Sequence, residues 1–214
     1  TDAAATTVIA IEHALSFRIP VVLAIPYDVG GRDAGEIPAT PDPVLPAPLA
    51  PTGPHALATV AAIARALAAS ERPLLLAGRG AWTAGAGEQL GRLADAVGAL
   101  TASTALGRGV FPRAEYDLGV TGGFGAEGAM ATIREADVVV VFGASLNQFT
   151  MRFGELFSPD ATIVQVDVAA AATHPQVGRY LRADAALAAR ALADELEQVG
   201  GAPSGWRKAG GVAG

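Results

Sequence analysis

Three apolar stretches decide the fold of this chain: Arg72-Pro-Leu-Leu-Leu-Ala-Gly-Arg-Gly-Ala81, Glu135-Ala-Asp-Val-Val-Val-Val-Phe-Gly-Ala-Ser145 and Thr162-Ile-Val-Gln-Val-Asp167. Each is a short run of leucine or β-branched residues that reaches Gly or Asp where a loop has to begin. Because such runs are apolar on both faces, they are typical of strands buried in a parallel sheet between helices. Ligands of open parallel sheets lie outside the carboxyl ends of the strands, so these Gly and Asp residues mark the predicted place for a ligand.

The composition indicates a globular protein and excludes several classes of function. The chain has 214 residues, of which 51% are hydrophobic and 17% charged, so it has enough apolar material for a core. A net charge of −6 argues against a nucleic-acid partner, and the lack of cysteine excludes disulfides, thiolate metal sites and cysteine nucleophiles. No apolar run approaches the roughly 18 residues of a membrane span, and no signal peptide is visible. We therefore expect a cytoplasmic protein without a membrane partner.

The first 53 residues do not contain enough structure for a core of their own. A helix is predicted over Asp2–Ser16 and a buried strand over Pro20–Ile25, which together cannot form a stable unit. Residues 1–29 are therefore predicted to be the last part of a preceding domain, and the chain, which begins with Thr1 rather than Met, a piece of a longer protein. Residues 30–53 are rich in proline, which removes backbone donors and favours an extended path, so this stretch is predicted to be a linker.

Residues 54–199 alternate between helical and strand patterns and form the predicted main domain. The predicted strands are Leu74–Ala77, Ala99–Ser103, Val138–Phe142, Thr162–Val166 and Tyr180–Arg182. The first predicted helix begins at Pro54, and further helices are predicted over Ala86–Val97, Ala126–Ala136, Met151–Phe157 and Ala185–Val199. With right-handed crossovers, this order predicts an α/β, Rossmann-like doubly wound parallel sheet of about six strands with helices on both faces. Residues 200–214, rich in Gly and Ala, are predicted to be a second linker or a tail.

The first candidate site is the turn Gly78-Arg79-Gly80 after the first strand of this domain. A dinucleotide fingerprint requires a third glycine at position 83 and an acid at the end of the next strand. Thr83 and Ser103 stand at those places, so the pattern does not predict an NAD site. The glycines serve either to bind phosphate or to let the backbone turn sharply under a loop.

A second candidate is the glycine cluster Gly122, Gly123 and Gly125, which precedes a predicted helix. Backbone amides exposed at such a helix entry can bind an anion. The same glycines are equally suited to a tight connection between a strand and a helix, and the residues alone leave both uses open.

Polar residues follow the two strongest strands. Ser145 and Asn147, after Gly143-Ala144, either bind a ligand or cap the segment that follows. Asp167 lies where an acid often contacts a ribose hydroxyl, and an Asx turn is the alternative. The chain has no zinc-protease helix, phosphate-binding P-loop or nucleophile elbow, and we find no acid–base pair. No catalytic residue and no metal site is therefore predicted.

Several motifs together resemble the central domain of thiamine-diphosphate-dependent enzymes of the acetolactate synthase, pyruvate oxidase and benzoylformate decarboxylase type. The resemblance covers about residues 54–199 and rests on motifs that match in order and spacing. They are Arg72-Pro-Leu-Leu-Leu-Ala-Gly-Arg-Gly80, Leu118-Gly-Val-Thr-Gly-Gly-Phe-Gly125, Glu135-Ala-Asp-Val-Val-Val-Val-Phe-Gly-Ala144, Val166-Asp167 and Arg182-Ala-Asp184. Residues 4–29 look like the closing helix and strand of the pyrimidine-binding domain that precedes the central domain in this family.

The resemblance implies a parent enzyme that acts on 2-oxo acids, as a transferase or a lyase, with thiamine diphosphate and Mg²⁺. In this family the cofactor lies between the pyrimidine-binding domain, which supplies a Glu, and a C-terminal domain that holds the diphosphate and Mg²⁺ through a Gly-Asp-Gly motif. Neither of these regions is present in the sequence. We therefore expect this fragment alone to be inactive and to bind no thiamine, its partners to be the missing domains, and the parent to be a homodimer or homotetramer.

Some family members bind FAD or ADP in the central domain. By resemblance, the residues that would contact such a nucleotide are Gly78, Arg79, Gly80, Gly122, Gly123, Gly125, Gly143, Ala144, Ser145 and Asp167. Flavin-containing synthases read Gly-Ala-Arg-Phe after this strand, whereas here Ser145 replaces the Arg and Ala169 replaces a nearby acid. Both departures argue against FAD. The alternatives are an FAD- or ADP-binding module of the same fold, or an unrelated Rossmann-like nucleotide-binding protein.

Overall fold

The computed structural model divides the chain into two units, Thr1–Ala47 and Pro48–Gly214. The structure describes residues 3–17, 19–33, 35–36, 39 and 42–209. In the first unit, helix α1 covers Ala3–Phe17 and the short helix α2 covers Tyr27–Gly30. The strand predicted at Pro20–Ile25 is wrong: none of the described residues of this unit forms a strand, so the apolar run has no neighbour to pair with.

The second unit contains a six-stranded sheet in which every pair of neighbours is parallel. Its strands are β1 Pro73–Ala77, β2 Leu100–Ser103, β3 Asp117–Val120, β4 Val138–Phe142, β5 Thr162–Asp167 and β6 Arg179–Arg182. The spatial order β3-β2-β1-β4-β5-β6 is that of a doubly wound fold, which confirms the predicted fold class. β3 was not predicted from the sequence. It is a half-buried edge strand that contains Gly119 at a φ of +83° and pairs with β2 through a register shift.

The helices of this unit are α3 Pro54–Ala69, α4 Arg79–Thr83, α5 Gly87–Val97, α6 Glu127–Arg134, α7 Ala185–Val199 and α8 Trp206–Ala209. Their ends follow local chemistry. Gly98, at a φ of +68°, ends α5, and the Asp184 carboxylate caps α7 by accepting a hydrogen bond from the Ala186 N–H at 3.0 Å. The helix predicted near Met151–Phe157 is only one turn of 3-10 helix, Arg152–Gly154.

The sheet separates two apolar cores. On one face, Leu75 and Val140 pack with buried residues of α3, α5 and α7. On the other face, Leu74 and Val139 pack with buried residues of α6 and with Trp206. Because alternate residues of β1 and β4 enter different cores, both faces of these strands are buried, as the unbroken apolar runs predict.

The segment predicted to be a second linker packs on the domain as far as α8. Trp206 is buried, and the Ser204 N–H donates to the carbonyl oxygen of Val97 at 2.9 Å. Arg207 Nε donates to the carbonyl oxygen of Ala99 at 2.8 Å. The Gly and Ala content of the segment obscured these contacts, which depend on single side chains. In the described part of the chain, none of the helices is both long and apolar enough to cross a membrane.

Candidate functional site

The strand order reverses between β1 and β4, so the carboxyl ends of these two strands form the place where a doubly wound sheet binds its ligands. Gly78 follows β1 and Gly143 follows β4, as the sequence predicted. The Gly78 N–H donates to Phe142 O at 2.9 Å, the Gly80 N–H to Gly143 O at 2.8 Å, and the Gly143 N–H to Val166 O at 2.8 Å. The backbone donors of these glycines are therefore engaged within the fold.

The same glycines allow the two strand ends to approach each other closely. A Cβ on Gly78 would lie 2.5 Å from the Ala144 Cβ, and one on Gly80 would lie 2.7 Å from the Gly143 Cα. Gly143 has a φ of +58°, and a Cβ there would lie 2.4 Å from the Ala81 nitrogen. Side chains cannot be accommodated at these distances, so contact between α4 and the β4 loop accounts for these glycines.

The polar residues at this edge have local partners. The Asn147 side chain accepts a hydrogen bond from the Thr150 N–H at 2.9 Å, which is a capping contact. Asp167 Oδ1 accepts from the Ala169 N–H at 3.0 Å, which is an Asx turn. Ser145 and the Arg79 side chain are exposed, and none of the ion pairs found among the described residues involves Arg79.

Gln165 is a residue of this edge whose role the sequence analysis missed. Its fully buried side chain donates from Nε2 to Ala144 O at 3.1 Å and to Thr173 Oγ1 at 2.8 Å. Its Oε1 accepts from the Thr173 N–H at 2.9 Å, so Gln165 ties the loop after β4 to the loop after β5. The sequence feature that could have revealed this role is a single amide within an otherwise apolar strand, since a buried polar side chain requires hydrogen-bond partners.

Two side chains of β6 also hold the loop after β5 in place. The Tyr180 hydroxyl lies 2.7 Å from the carbonyl oxygen of Ala169, to which it donates. Burial, and then the nearby Asp167 carboxylate, raise the pKa of Tyr180 to about 12, so the hydroxyl keeps its proton at neutral pH. Arg182 Nε donates to Val168 O at 3.2 Å. The turn that carries Asp167 is thus held in place by two side chains.

The second glycine cluster is also packed against the chain itself. Gly122 and Gly123 lie against Phe149, and a Cβ on Gly125 would lie 2.5 Å from the Met130 Cε atom. The 3-10 turn Gly122–Phe124 leads into α6, so these glycines make a tight connection between β3 and that helix.

Two cavities lie away from all of these residues. One, of about 270 Å³, is lined by the C-terminal ends of α3, α5 and α7 and by residues 200–204. The other, of about 660 Å³, is an open groove between α5 and the loop Gly109–Arg113. Neither is lined by any of the predicted cofactor-binding residues.

The described residues do not provide a metal site. No group of three or more His, Cys, Asp or Glu side chains among them is arranged to hold a metal ion. Mg²⁺ prefers carboxylate and carbonyl oxygens in octahedral geometry, and it is usually held by carboxylates together with phosphate. The described residues therefore contain no cluster of carboxylates of the kind that holds Mg²⁺.

Comparison with known proteins identifies the family. A family model described as "Thiamine pyrophosphate enzyme, central domain" matches residues 60–195. The probable acetolactate synthase large subunit of Methanocaldococcus jannaschii is 33% identical over 168 residues, which are 77% of this chain and 28% of that protein. The acetolactate synthase large subunit of Parasynechococcus marenigrum is 29% identical over 78% of this chain and 27% of its own length. The chain thus spans little more than a quarter of these relatives.

Solved structures share the fold. Benzoylformate decarboxylase from Polynucleobacter necessarius matches with a TM-score of 0.67 and 22% identity, over 89% of this chain and 36% of its own. A putative thiamin diphosphate-dependent enzyme from Mycobacterium smegmatis matches with a TM-score of 0.58, over 73% of this chain and 30% of its own. The family match covers all six strands of the sheet and leaves out the first residues of α3, the last residues of α7 and α8. This chain belongs to the family of thiamine pyrophosphate enzyme central domains.

Proposed function

We propose that this chain is the structural central domain of an enzyme that uses thiamine diphosphate and Mg²⁺ to act on 2-oxo acids. Carboligation of the acetolactate synthase type is the favoured reaction, and decarboxylation is the alternative. The observation that carries the proposal is the family match over residues 60–195, together with the acetolactate synthases among the relatives.

The proposed role of the domain is that of a rigid scaffold. This role is supported by the way in which the strand ends are fixed: Gly80 packs on Gly143, Gln165 joins the loops after β4 and β5, and Tyr180 also holds the second of these loops. Enzymes position their catalytic groups best on rigid elements, so a domain of this kind serves reacting groups that lie on its neighbours.

The proposed partners are a pyrimidine-binding domain and a diphosphate-binding domain, in a parent that is a cytoplasmic homodimer or homotetramer. We propose that residues 1–29 are the C-terminal part of the first of these. Support comes from α1, whose apolar side chains point in all directions around the helix, with Ile9, Ile11, Leu15 and Phe17 exposed. Large apolar side chains that are exposed together on one helix are normally covered by a partner, and a neighbouring domain of the parent would supply that cover.

The experiment compares this chain with the full-length product of the gene from which it comes. Each is incubated with pyruvate, thiamine diphosphate and Mg²⁺, with omission of thiamine diphosphate as the control. We expect thiamine-dependent consumption of pyruvate by the full-length protein and none by the 214-residue chain. Turnover by the chain alone, or a full-length protein whose turnover does not depend on thiamine, contradicts the proposal.

A second candidate is a module that binds FAD or ADP at the carboxyl edge through the glycines, Arg79, Ser145 and Asp167. The strand order favours it, because this is the order of dinucleotide-binding sheets. The packing of Gly78, Gly80 and Gly143 against one another opposes it, since their N–H groups donate within the fold. Titration of the chain with each nucleotide distinguishes the two candidates.

A further inference from the structure

One aromatic residue fills the space beside two of the predicted cofactor-binding glycines. Gly122 has a φ of +82°, and a Cβ there would lie 2.5 Å from the carbonyl oxygen of Phe149. A Cβ on Gly123 would lie 2.3 Å from the Cε2 atom of the same phenylalanine. Gly122 and Gly123 therefore form a glycine notch after β3, and Phe149, from the loop after β4, occupies it.

The ring of Phe149 lies between this notch and solvent. It contacts Phe124 edge-to-face, with ring centroids 5.0 Å apart and an interplanar angle of 67°. Its side chain is nevertheless 48% exposed, so it is not part of either core. The half-exposed ring therefore covers the backbone of these two glycines.

The loop that carries Phe149 is fixed by hydrogen bonds on both sides of the ring. Asn147 Oδ1 accepts from the Thr150 N–H at 2.9 Å. The Phe153 N–H donates to Gln148 O at 2.8 Å. Residues 147–153 therefore form a closed turn that contains its own backbone hydrogen bonds and one from an amide side chain.

The end of this turn is strained and is tied to α6. Arg152 has a φ of +47° and Phe153 a φ of +59°, which is the left-handed region that non-glycine residues avoid. Arg152 also forms a bidentate ion pair with Glu127, at 2.9 and 3.2 Å. Strained residues of this kind persist only where their surroundings determine the conformation, and they cluster at ligand clamps and switch regions.

The glycine notch follows β3 and precedes α6. Glycine amides at the carboxyl edge of a parallel sheet, ahead of a helix, can approach a phosphate or a flat ring. We propose that Phe149 keeps a diphosphate-bearing nucleotide such as FAD or ADP out of this notch, with its ring acting as a built-in plug. This inference rests on the proposed function, in which the central domain is a scaffold without a cofactor of its own.

The first test titrates FAD, and separately ADP, into the 214-residue chain and its variants by calorimetry. The control is Phe153→Ala, which removes a phenylalanine of the same loop that is 81% exposed. We expect no saturable binding below about 1 mM for the wild type and for Phe153→Ala, and binding at least about tenfold tighter for Phe149→Ala. If Phe149→Ala gains no such affinity, the plug is overturned and the proposed scaffold function is untouched. If the wild type binds either nucleotide below about 1 mM, the plug and the scaffold role without a cofactor are overturned, while the thiamine dependence of the parent, which the turnover experiment tests, is untouched.

A second test needs no ligand and examines whether the ring occupies the notch in solution. It measures the urea midpoints of the wild type, Gly123→Ala, Phe149→Ala and the double variant. Because the three atoms nearest to the added Cβ all belong to the ring of Phe149, we expect Gly123→Ala to shift the midpoint less than half as much without Phe149 as with it. An equal shift in the two backgrounds, including no shift in either, overturns the occupation of the notch by Phe149.

Discussion

Arg207 Nη1 donates to Asp95 Oδ1 at 2.7 Å and so joins the C-terminal segment to helix α5. The guanidinium carbon lies 4.1 Å from the centre of the Tyr116 ring, which adds a cation–π contact. Arg113 approaches the same carboxylate from the other side, at 3.1 Å. Since the Arg207 side chain is only 13% exposed, water screens its pair far less than the surface pairs of this chain.

We predict that Arg207→Met lowers the free energy of unfolding by about 1.5–3 kcal/mol, because the Asp95 carboxylate and Ala99 carbonyl lose a charged donor. Urea unfolding at pH 7 measures the change. The matched control is Arg190→Met, which removes an exposed pair of 3.9 Å and should change stability by less than about 0.5 kcal/mol. Equal effects of the two substitutions would show that the C-terminal segment does not pack on helix α5 in solution.

Asp137, which precedes β4, fixes the entry to β1. Its carboxylate accepts from the Glu71 N–H at 2.8 Å, from the Arg72 N–H at 3.1 Å and from the Ser70 hydroxyl. Burial alone would raise the pKa of Asp137, but the hydrogen bonds from Ser70, Glu71 and Arg72 outweigh it, and the pKa is lowered. The ionised carboxylate therefore stabilises the folded chain.

We predict that Asp137→Asn lowers the free energy of unfolding at pH 7 by about 1–3 kcal/mol, since the amide presents a donor to backbone N–H groups. The contribution of Asp137 is complete above the unfolded pKa of about 3.9 and is lost as the pH falls through the lower folded value. The difference between wild type and variant should thus shrink between about pH 6 and pH 2 in urea unfolding. The exposed Asp160→Asn is the control, and a difference that does not change with pH contradicts this role.

We predict that Gly143→Ala destabilises the chain by more than about 3 kcal/mol, because it combines a positive φ with a backbone clash. Gly128→Ala is the control. Gly128 lies in α6 with open space around its Cα, so the alanine should stabilise the chain by up to about 1 kcal/mol through helix propensity. Thermal unfolding of the two variants measures both effects. A Gly143→Ala variant as stable as the wild type would mean that the two strand ends are not in contact.

Removal of the Gln165 amide should loosen the loops that it connects. We predict that Gln165→Met, which nearly keeps the volume, costs about 1–3 kcal/mol because the Ala144 carbonyl and the Thr173 N–H lose their partner. Amide hydrogen exchange should rise in residues 144–146 and at Thr173. The exposed Gln198→Met is the control for the change of residue type. If exchange in these loops stays at the wild-type level, another group holds them together.

The inner strands of the sheet could be predicted because each of them is identified by one short stretch of apolar sequence. β1, β4 and β5 are apolar on both faces, so their sequences alone identify them to within one or two residues. The same signal failed at Pro20–Ile25, where the run is apolar but no described neighbour in its unit forms a strand. It also missed β3, whose half-buried residues include a glycine and carry little periodicity.

The site was predictable only where its contacts are local. The Asx turn of Asp167 and the cap of Asn147 use partners within three residues, and both were among the alternatives that the sequence offered. The contact of Gly80 with Gly143 and that of Gly123 with Phe149 join residues far apart in the chain. A glycine pattern predicts that the backbone makes a close contact, but it does not show whether the contact is with a ligand or with another part of the protein.

The close contact of Gly78 and Gly80 with Gly143 restricts how the loops after β1 and β4 can be changed. Since Gly78 and Gly80 fit only against the backbone of Gly143 and Ala144, the loops after β1 and β4 cannot be exchanged one at a time. A loop grafted from a relative onto either strand end must bring its counterpart with it. Beyond this contact, the exposed positions Ser145, Gln148 and Phe153 are where the edge of the sheet can acquire new properties, whereas Leu146 and Met151 are buried in the core with the strands.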